Sequence, residues 1–416
     1  MAEAASPRVA VVGAGIVGSC IALALGKRGA DVTLIDRDEP GRGCSFGNSG
    51  AISPGSVAPL AMPGIVSSLP AMLLDPEGPL HLRLGYLPRA LPWLLRFVAS
   101  ARPAEVARNA ARLAALHAGA IDRHRALTRE LGVPELFLQR GHLHLYPDEQ
   151  ALAKDAAGWR LRTEYGIRFD KVDRDGILAL EPGVGSRYQV GIFVADHATI
   201  VDPFRYVQAM VAAFVGRGGN VRRAEVRALT RGDDGWRVTD GQDADADTRY
   251  AHVVVATGAW SKGLLSPLGI DVAIESQRGY HVQFAGARDT VSRTVVLADR
   301  KIFVTPMAGG LRVGGTVEIA GLARPPVARR SALLERIARE TFAGLDAIEP
   351  SRWMGHRPCT PDSLPIVGAA PGQSGLWLAI GHGHLGVTDS IVTSERIADG
   401  ILGDRPGADP FDKERP

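Results

Sequence analysis

Four apolar residues, Val9 to Val12, run into Gly13-Ala-Gly15-Ile-Val-Gly18, and a helix-forming stretch with Ala22 and Leu25 follows at once. No other feature of the chain constrains the fold as much, because this spacing requires a strand, a tight turn and a helix in immediate succession. Gly13 permits the turn, Gly15 lets an anionic group approach the backbone, and Gly18 lets helix and strand pack closely. The free N–H groups at the start of the helix, where Ile16 and Val17 are expected at the cofactor, then supply positive potential for a dinucleotide pyrophosphate. Gly29 ends the helix, and Val32 to Ile35 reads as a second strand closing on Asp36, 21 residues after Gly15, where ribose hydroxyls are expected. Arg37 beside it either stacks on an adenine or is simply solvated. In a chain with 49 Gly among 416 residues the glycine pattern recurs by chance, so the strand, helix and carboxylate around it carry the argument.

The stretch Val9 to Gly26 is also 18 residues without a charge, the length of a candidate membrane helix. Four of those residues are Gly, and the β-branched first part gives way to an Ala/Leu-rich second part, so strand–turn–helix is the better reading. Met1 to Pro7 lacks the basic start and apolar core of a signal peptide. Cys20, Cys44 and Cys359 are odd in number, far apart and form no C-x-x-C, which argues against a disulfide framework and a metal site and fits a cytoplasmic protein. The net charge of +3 is interspersed rather than blocked, so a small molecule is the expected partner and nucleic acid is not.

The nucleotide-binding stretches are not contiguous. The expectation is an α/β chain, α+β overall, in which a Rossmann-like βαβ domain (residues 1–56, 196–269 and 346–416) is interleaved with a second domain. That second domain (57–195 and 270–345) carries the substrate site. Pro203 to Gly216 has helical periodicity, Asn220 to Ala228 alternates like a strand, and Tyr250 to Ala256 is an apolar strand. Residues 103–132 read as one or two amphipathic helices, Asp233 to Asp247 as an acidic loop, and Asp404 to Pro416 as a frayed end. Residues 57–97 are Pro-rich with apolar stretches at Pro63 to Leu74 and Leu91 to Phe97. They pack on the protein itself, cover the site as a lid, or make peripheral contact with the inner face of the cell membrane.

Three later blocks decide which dinucleotide is expected. Val253 to Gly258 is a buried strand running into a small-residue turn at Thr257-Gly258, where a second backbone segment approaches the cofactor. Gly355-His-Arg357-Pro-Cys-Thr-Pro-Asp-Ser-Leu-Pro-Ile-Val-Gly368 holds Arg357 among three prolines, a rigid placement that suits a substrate-binding guanidinium. Gly381-His382-Gly383-His384-Leu385-Gly386 leads into an apolar helix from about Val387 to Ile401. Its N-terminus stabilises negative charge of the kind a reduced flavin develops. A nicotinamide-dependent enzyme shares the first motif but leaves these blocks unexplained.

Taken in order, Gly13-x-Gly15-x-x-Gly18 with Asp36, Cys44-Ser45-Phe-Gly-Asn48-Ser-Gly50, Ala256-Thr257-Gly258, Arg312-x-Gly-Gly-Thr-x-Glu318, the Arg357-Pro block and Gly381-His382-Gly383 carry a resemblance over nearly the whole chain. It is to the D-amino-acid oxidase/dehydrogenase family of FAD-dependent oxidoreductases, and within that family most to the bacterial D-amino acid dehydrogenases. The resemblance implies FAD, a substrate domain whose mostly antiparallel sheet covers the flavin face, and oxidative deamination of D-amino acids to 2-oxo acids and ammonia, by hydride transfer from Cα to flavin N5. The family includes members with covalent flavin, but no local pattern assigns Cys44 or Cys359 that role, so non-covalent FAD is expected. A secondary amino acid (D-proline, D-hydroxyproline or sarcosine) is the alternative substrate, and a quinone or dye-type acceptor is expected rather than oxygen. Arg357 matches the family's carboxylate-binding residue, and Tyr280 in Arg278-Gly-Tyr-His281 is a second candidate donor. His281 alternates to the other strand face and is the weaker candidate. His382 and His384 fall beside the flavin, His382 placed with Arg357 and Tyr280 among the catalytic groups and His384 with the substrate-binding ones, both shaping the pocket rather than acting as acid or base. Ser45, Asn48 and Gly50 lie along the flavin, and Val226 at the adenine. A flavin-binding, non-catalytic subunit of a larger complex is the remaining class.

Overall fold

The computed structural model describes residues 6–64, 78, 80–241 and 248–403. Strand β1 (Arg8–Val12) lies between β2 (Asp31–Asp36) and the His252–Val255 strand, parallel to both. Asn220–Arg223, Leu376–Ile380 and Ile366–Ala369 complete a six-stranded sheet in which only the last two run antiparallel to each other. A sheet covered on both faces needs continuous apolar strands, and Val9–Val12, Val253–Val255 and Leu376–Ile380 supply them. Val9 and Val11 point into the layer formed with helix α1 (Ile16–Lys27), while Ala10 and Val12 face Trp236, Leu264 and Leu265 on the other side. The Pro203–Val215 and Gly386–Leu402 helices flank α1. Gly13 takes φ +106°, and a Cβ on Gly18 would collide with the Gly13 carbonyl, so helix and turn touch backbone to backbone.

The second sheet has nine strands. From its Ser351–Cys359 edge it runs through Glu275–Phe284, Gly310–Ile319, Ile302–Met307, Thr294–Leu297, His142–Tyr146 and Val190–Val194 to Asp170–Val172. It is antiparallel apart from two pairings, Leu80–Leu82 with Gly310–Ile319 and Thr294–Leu297 with His142–Tyr146. One face packs Tyr280, Val282 and Phe284 against Leu333, Leu334 and Ile337 of the Ala328–Thr341 helix. The other face looks toward the first sheet.

Two stretches cross the division expected from the sequence. Ser351–Cys359, assigned there to the nucleotide-binding part, is the edge strand of the second sheet because it pairs with Glu275–Phe284 along its whole length. The Pro103–His117 and Ala120–Glu130 helices, assigned to the substrate domain, lay apolar stripes on the other body: Ala120 and Leu127 share the core of α1, and Leu113 meets Leu385. Inside the expected acidic loop, Gly235–Thr239 is a strand paired with Ala228–Gly232. The remainder of that loop (242–247), residues 65–74 of the Pro63–Leu74 stretch and the Asp404–Pro416 end lie outside the described residues. No described helix is long and apolar enough to cross a membrane.

Where Ser53–Ser56 crosses the second sheet, two buried imidazoles hold it. His197 Nε2 accepts from Gly55 N–H (3.1 Å), which leaves the proton on Nδ1 to be donated to His142 Nδ1 (3.2 Å), while His142 Nε2–H donates to the Ala198 carbonyl (2.9 Å). Both rings are therefore neutral with every nitrogen occupied, and protonating either one breaks a bond. Burial pushes His142 down to about 4 and His197 well below its ordinary value, helped there by the charge of Arg162 and by neighbouring His142, His144 and His117.

Gly18→Ala is expected to cost about 1–3 kcal/mol and lower the thermal midpoint, because the new methyl meets backbone that cannot retreat. Gly15→Ala, whose Cβ has nothing nearer than Ser45 Oγ at 3.6 Å, leaves the midpoint of the cofactor-free protein unchanged. Equal midpoints for the two variants would refute the backbone contact. Because the folded pKa of the His142–His197 pair lies below the unfolded value, its contribution is complete above about pH 6.5 and is lost as pH falls toward 4. Thermal melts across that window should show the decline, and the double variant His142→Gln, His197→Gln should lose that part of the slope.

Candidate active site

Between the sheets runs a cavity of about 910 Å3, large enough for a dinucleotide and a small substrate together. At its floor the α1 turn is tied in place from the side: Ala14 N–H donates to Asp36 Oδ2 (2.6 Å), Ile16 N–H to Ser45 Oγ (2.9 Å), and Asp38 N–H to Asp36 Oδ1 (3.0 Å). The space above Gly15 stays open where a Cβ would otherwise stand. An open glycine turn at a helix N-terminus, with a carboxylate at the end of the next strand, is what a dinucleotide requires, so the residues present fit FAD. Arg37 stacks over Trp260 at 4.3 Å rather than lying free in solvent, and Val226, Thr257 and Gly258 line the same end.

Ile16, Val17, Cys44, Ser45 and Asn48 also line the cavity, as does the whole Gly381–Gly386 loop. Gly18 and Gly50 do not. Gly18 packs on Gly13, the close helix–turn contact its spacing predicted, whereas Gly50, at φ +69°, lets the chain close on Ile200 and is structural where a place along the cofactor was expected. Gly381 (φ +80°) and Gly383 (φ +54°) turn the loop so that the first residues of the Gly386–Leu402 helix face the cavity. The loop's two histidines part ways. His382, expected among the catalytic groups, is buried and bonds Thr393 Oγ1 at 3.0 Å, so its ring belongs to the helix behind the loop. His384 opens onto the cavity, and its enclosure together with the charge of Arg357 holds it down to about 4, hence neutral.

The opposite wall is the second sheet. Arg357 stands half-buried on the Ser351–Cys359 strand and donates from Nη1 to the Thr316 carbonyl (3.1 Å); among the described residues no carboxylate pairs with it. Thr316 presents that carbonyl from φ +54°, a strained conformation for a β-branched residue. Tyr280 is a correction. It borders the cavity, yet strand alternation turns its side chain to the core face, where the hydroxyl donates to Glu318 and accepts from Val327 N–H, so it is not available to a substrate. His281, the weaker candidate, is the one on the Arg357 face, with its ring stacked on Trp353 at 5.1 Å and bonded to the Gly47 carbonyl.

Sequence reading missed Gln277, Thr316 and Trp353, all of which line the cavity. Gln277 and Trp353 lie at even steps from Gly279 and Arg357 on paired strands, and the sequence signal that could have found them is the period-two alternation around those two residues once the strands are known to pair. Thr316 had a local signal, a β-branched residue directly after Gly314-Gly315.

The sequence matches the family described as FAD dependent oxidoreductase (DAO) over residues 8–400. It is 36% identical over 405 residues to a D-amino-acid oxidase of Bradyrhizobium diazoefficiens, covering 96% of both chains. To a D-amino acid dehydrogenase of Dechloromonas aromatica it is 33% identical over 413 residues, covering 96% of this chain and 98% of that one. Among solved structures, a glycine oxidase from Bacillus cereus superposes with a TM-score of 0.73 at 18% identity, covering 97% of this chain and 96% of the other. An L-proline dehydrogenase from P. horikoshii also gives 0.73 at 18%, covering 99% and 98%; at such identities the likeness is one of fold. With the glycine turn, the second strand's carboxylate and the loop-capped helix all facing one cavity, the chain belongs to the DAO family of FAD-dependent oxidoreductases.

Proposed function

We propose that this enzyme oxidises D-amino acids at the Cα–N bond, giving an imine that water converts to the 2-oxo acid and ammonia. The observation that carries the reading is Arg357, a guanidinium with no acidic partner among the described residues, facing the cavity beside the Gly381–Gly386 loop. Such a group is costly to leave unpaired, and a substrate carboxylate is the partner it suits. Bound FAD supplies the acceptor for the two electrons that leave with the Cα hydrogen. The chain's own part is to hold the carboxylate, keep the amino acid in register with the loop, and leave the amine proton to solvent. His384 at about 4 is too weak a base to take that proton. The names of the relatives favour the D-series. Non-covalent attachment is favoured by the thiols, since burial pushes Cys44 up to about 11 and Cys359 to about 12 and neither is a thiolate.

A quinone or dye-type acceptor and a peripheral place on the membrane form the second part of the proposal. The Leu87–Ser100 helix docks through Trp93, whose indole N–H donates to the Cys359 carbonyl (2.9 Å), and turns Leu91, Leu95 and Val98 outward; Leu84, just ahead of it, is 81% exposed. Arg89, Arg96 and Arg102 flank this stripe in sequence, Arg83 ahead of them pairs with Glu318 (3.3 Å), and no Asp or Glu occurs between Gly78 and Ala104. An apolar stripe with cationic neighbours suits an anionic lipid surface.

Anaerobic dye reduction with D-amino acids, sarcosine and hydroxyproline isomers is expected to succeed with primary D-amino acids, and failure with every substrate would point to a non-catalytic subunit. Arg357→Lys should raise KM and lower kcat, together costing about 10- to 100-fold in kcat/KM with FAD retained, because an ammonium cannot reproduce the fork. Unaltered kinetics would take Arg357 out of the site. In co-sedimentation with vesicles, the protein should pellet with phosphatidylglycerol-containing bilayers and not with pure phosphatidylcholine, and Leu91→Ser with Leu95→Ser should abolish pelleting. Binding that ignores both changes would remove the helix from the contact.

A further inference from the structure

Two glycines of the second sheet are not explained by backbone conformation. Gly279 and Gly355 sit in the interiors of adjacent strands, directly opposite each other, and neither takes a positive φ. A glycine there weakens a strand, so something else keeps it. The register around them runs Gln277 opposite Arg357, Gly279 opposite Gly355 and His281 opposite Trp353, all on the cavity face. A Cβ added at Gly279 would land within the Arg357 guanidinium, touching Cζ and both Nη atoms. One added at Gly355 would land in the indole of Trp353. Both large side chains of the Ser351–Cys359 strand therefore lie down on one bare step of sheet, Arg357 from one side and Trp353 from the other.

We propose that the Gly279–Gly355 step is a positioning floor, with Gly279 the residue that sets the height and angle of the Arg357 guanidinium. Only a backbone without Cβ lets that guanidinium lie flat on the sheet while Nη1 reaches the Thr316 carbonyl at 3.1 Å. Its remaining N–H groups are then free for a carboxylate lying over the floor. Trp353 is fixed on the far side of the same step by the His281 stack and by Gly47, at which a Cβ would likewise strike the indole. A side chain at 279 would lift the guanidinium off the sheet and break the Thr316 bond, leaving the charge in place and its geometry wrong. This inference rests on the carboxylate role proposed above for Arg357.

The test is a double-mutant cycle on the FAD-loaded enzyme with Gly279→Ala, Arg357→Ala and the pair. The readouts are bound FAD, KM and kcat for the best D-amino acid, and affinity for its 2-oxo acid product from the perturbed flavin absorbance. Gly279→Ala is expected to retain FAD, to raise KM and weaken product binding by about tenfold or more, and to change kcat less, as a misplaced clamp does. In the Arg357→Ala background the same substitution should add nothing, since the group it displaces is gone. Should Gly279→Ala alone fail to fold while the double variant folds, the collision is confirmed directly. The floor is overturned if Gly279→Ala keeps KM within about twofold, if it costs the same factor with and without Arg357, or if both variants fail to fold. An Arg357→Ala enzyme with unaltered KM overturns instead the carboxylate role itself.

Discussion

The buried guanidinium of Arg312 joins the two bodies of the protein. From the Gly310–Ile319 strand it takes the Gln283 amide oxygen with Nε and Nη2 (3.0 and 2.7 Å), and with Nη1 it reaches across to the Phe46 and Asn48 carbonyls (3.1 and 2.6 Å). The loop it grips, Cys44–Gly50, is one wall of the cavity, and the sheet it grows from is the other. Burial depresses the guanidinium to about 10, still charged at neutral pH, with only the more distant Asp202 to favour it. Its loss would leave three part-buried oxygens without this donor, and the gap between loop and sheet is the cavity that everything else lines.

Charge within that gap is arranged to stay constant. His281 is held to about 3, and His356, His382 and His384 to about 4, by burial and in most cases by a nearby arginine. Histidine is the side chain that ordinarily changes charge near neutrality, so a cavity whose histidines are all neutral presents the same field across the physiological range. Among the fixed features are then the Arg357 charge and the two helix N-termini, each of which favours negative charge, one at the glycine turn and the others on the side of the Gly381–Gly386 loop.

How much of this could be read from the residues depends on the range of the interaction. β1, the glycine turn, α1 and Asp36 follow from contacts within a few dozen residues, and the Gly386–Leu402 helix began where its glycine loop predicted. The Tyr280 and His281 assignments went the wrong way for one reason: alternation tells which residues share a face, but which face meets the cavity is decided by the neighbouring strand. Ser351–Cys359 was misassigned because its neighbours in sequence belong to the first sheet while its hydrogen-bond partners belong to the second. Gly50 sat inside a motif whose neighbouring residues line the cavity while it does not, and His382 sits on a cavity-lining loop with its ring bonded to Thr393; position within a motif does not say which way a side chain turns.

The strand order of the first sheet has a consequence for how the chain comes to be folded. β1 and β2 pair locally, yet β1 also pairs with His252–Val255, which in turn pairs with Leu376–Ile380. α1 is covered by two helices far from it in sequence, Pro203–Val215 and Gly386–Leu402. Part of the apolar surface around the glycine turn therefore stays open until those distant segments arrive, because closing so long a loop precedes any gain from the contact. Loss of the Gly386–Leu402 helix would expose the core around α1 to aggregation rather than merely trimming the cavity.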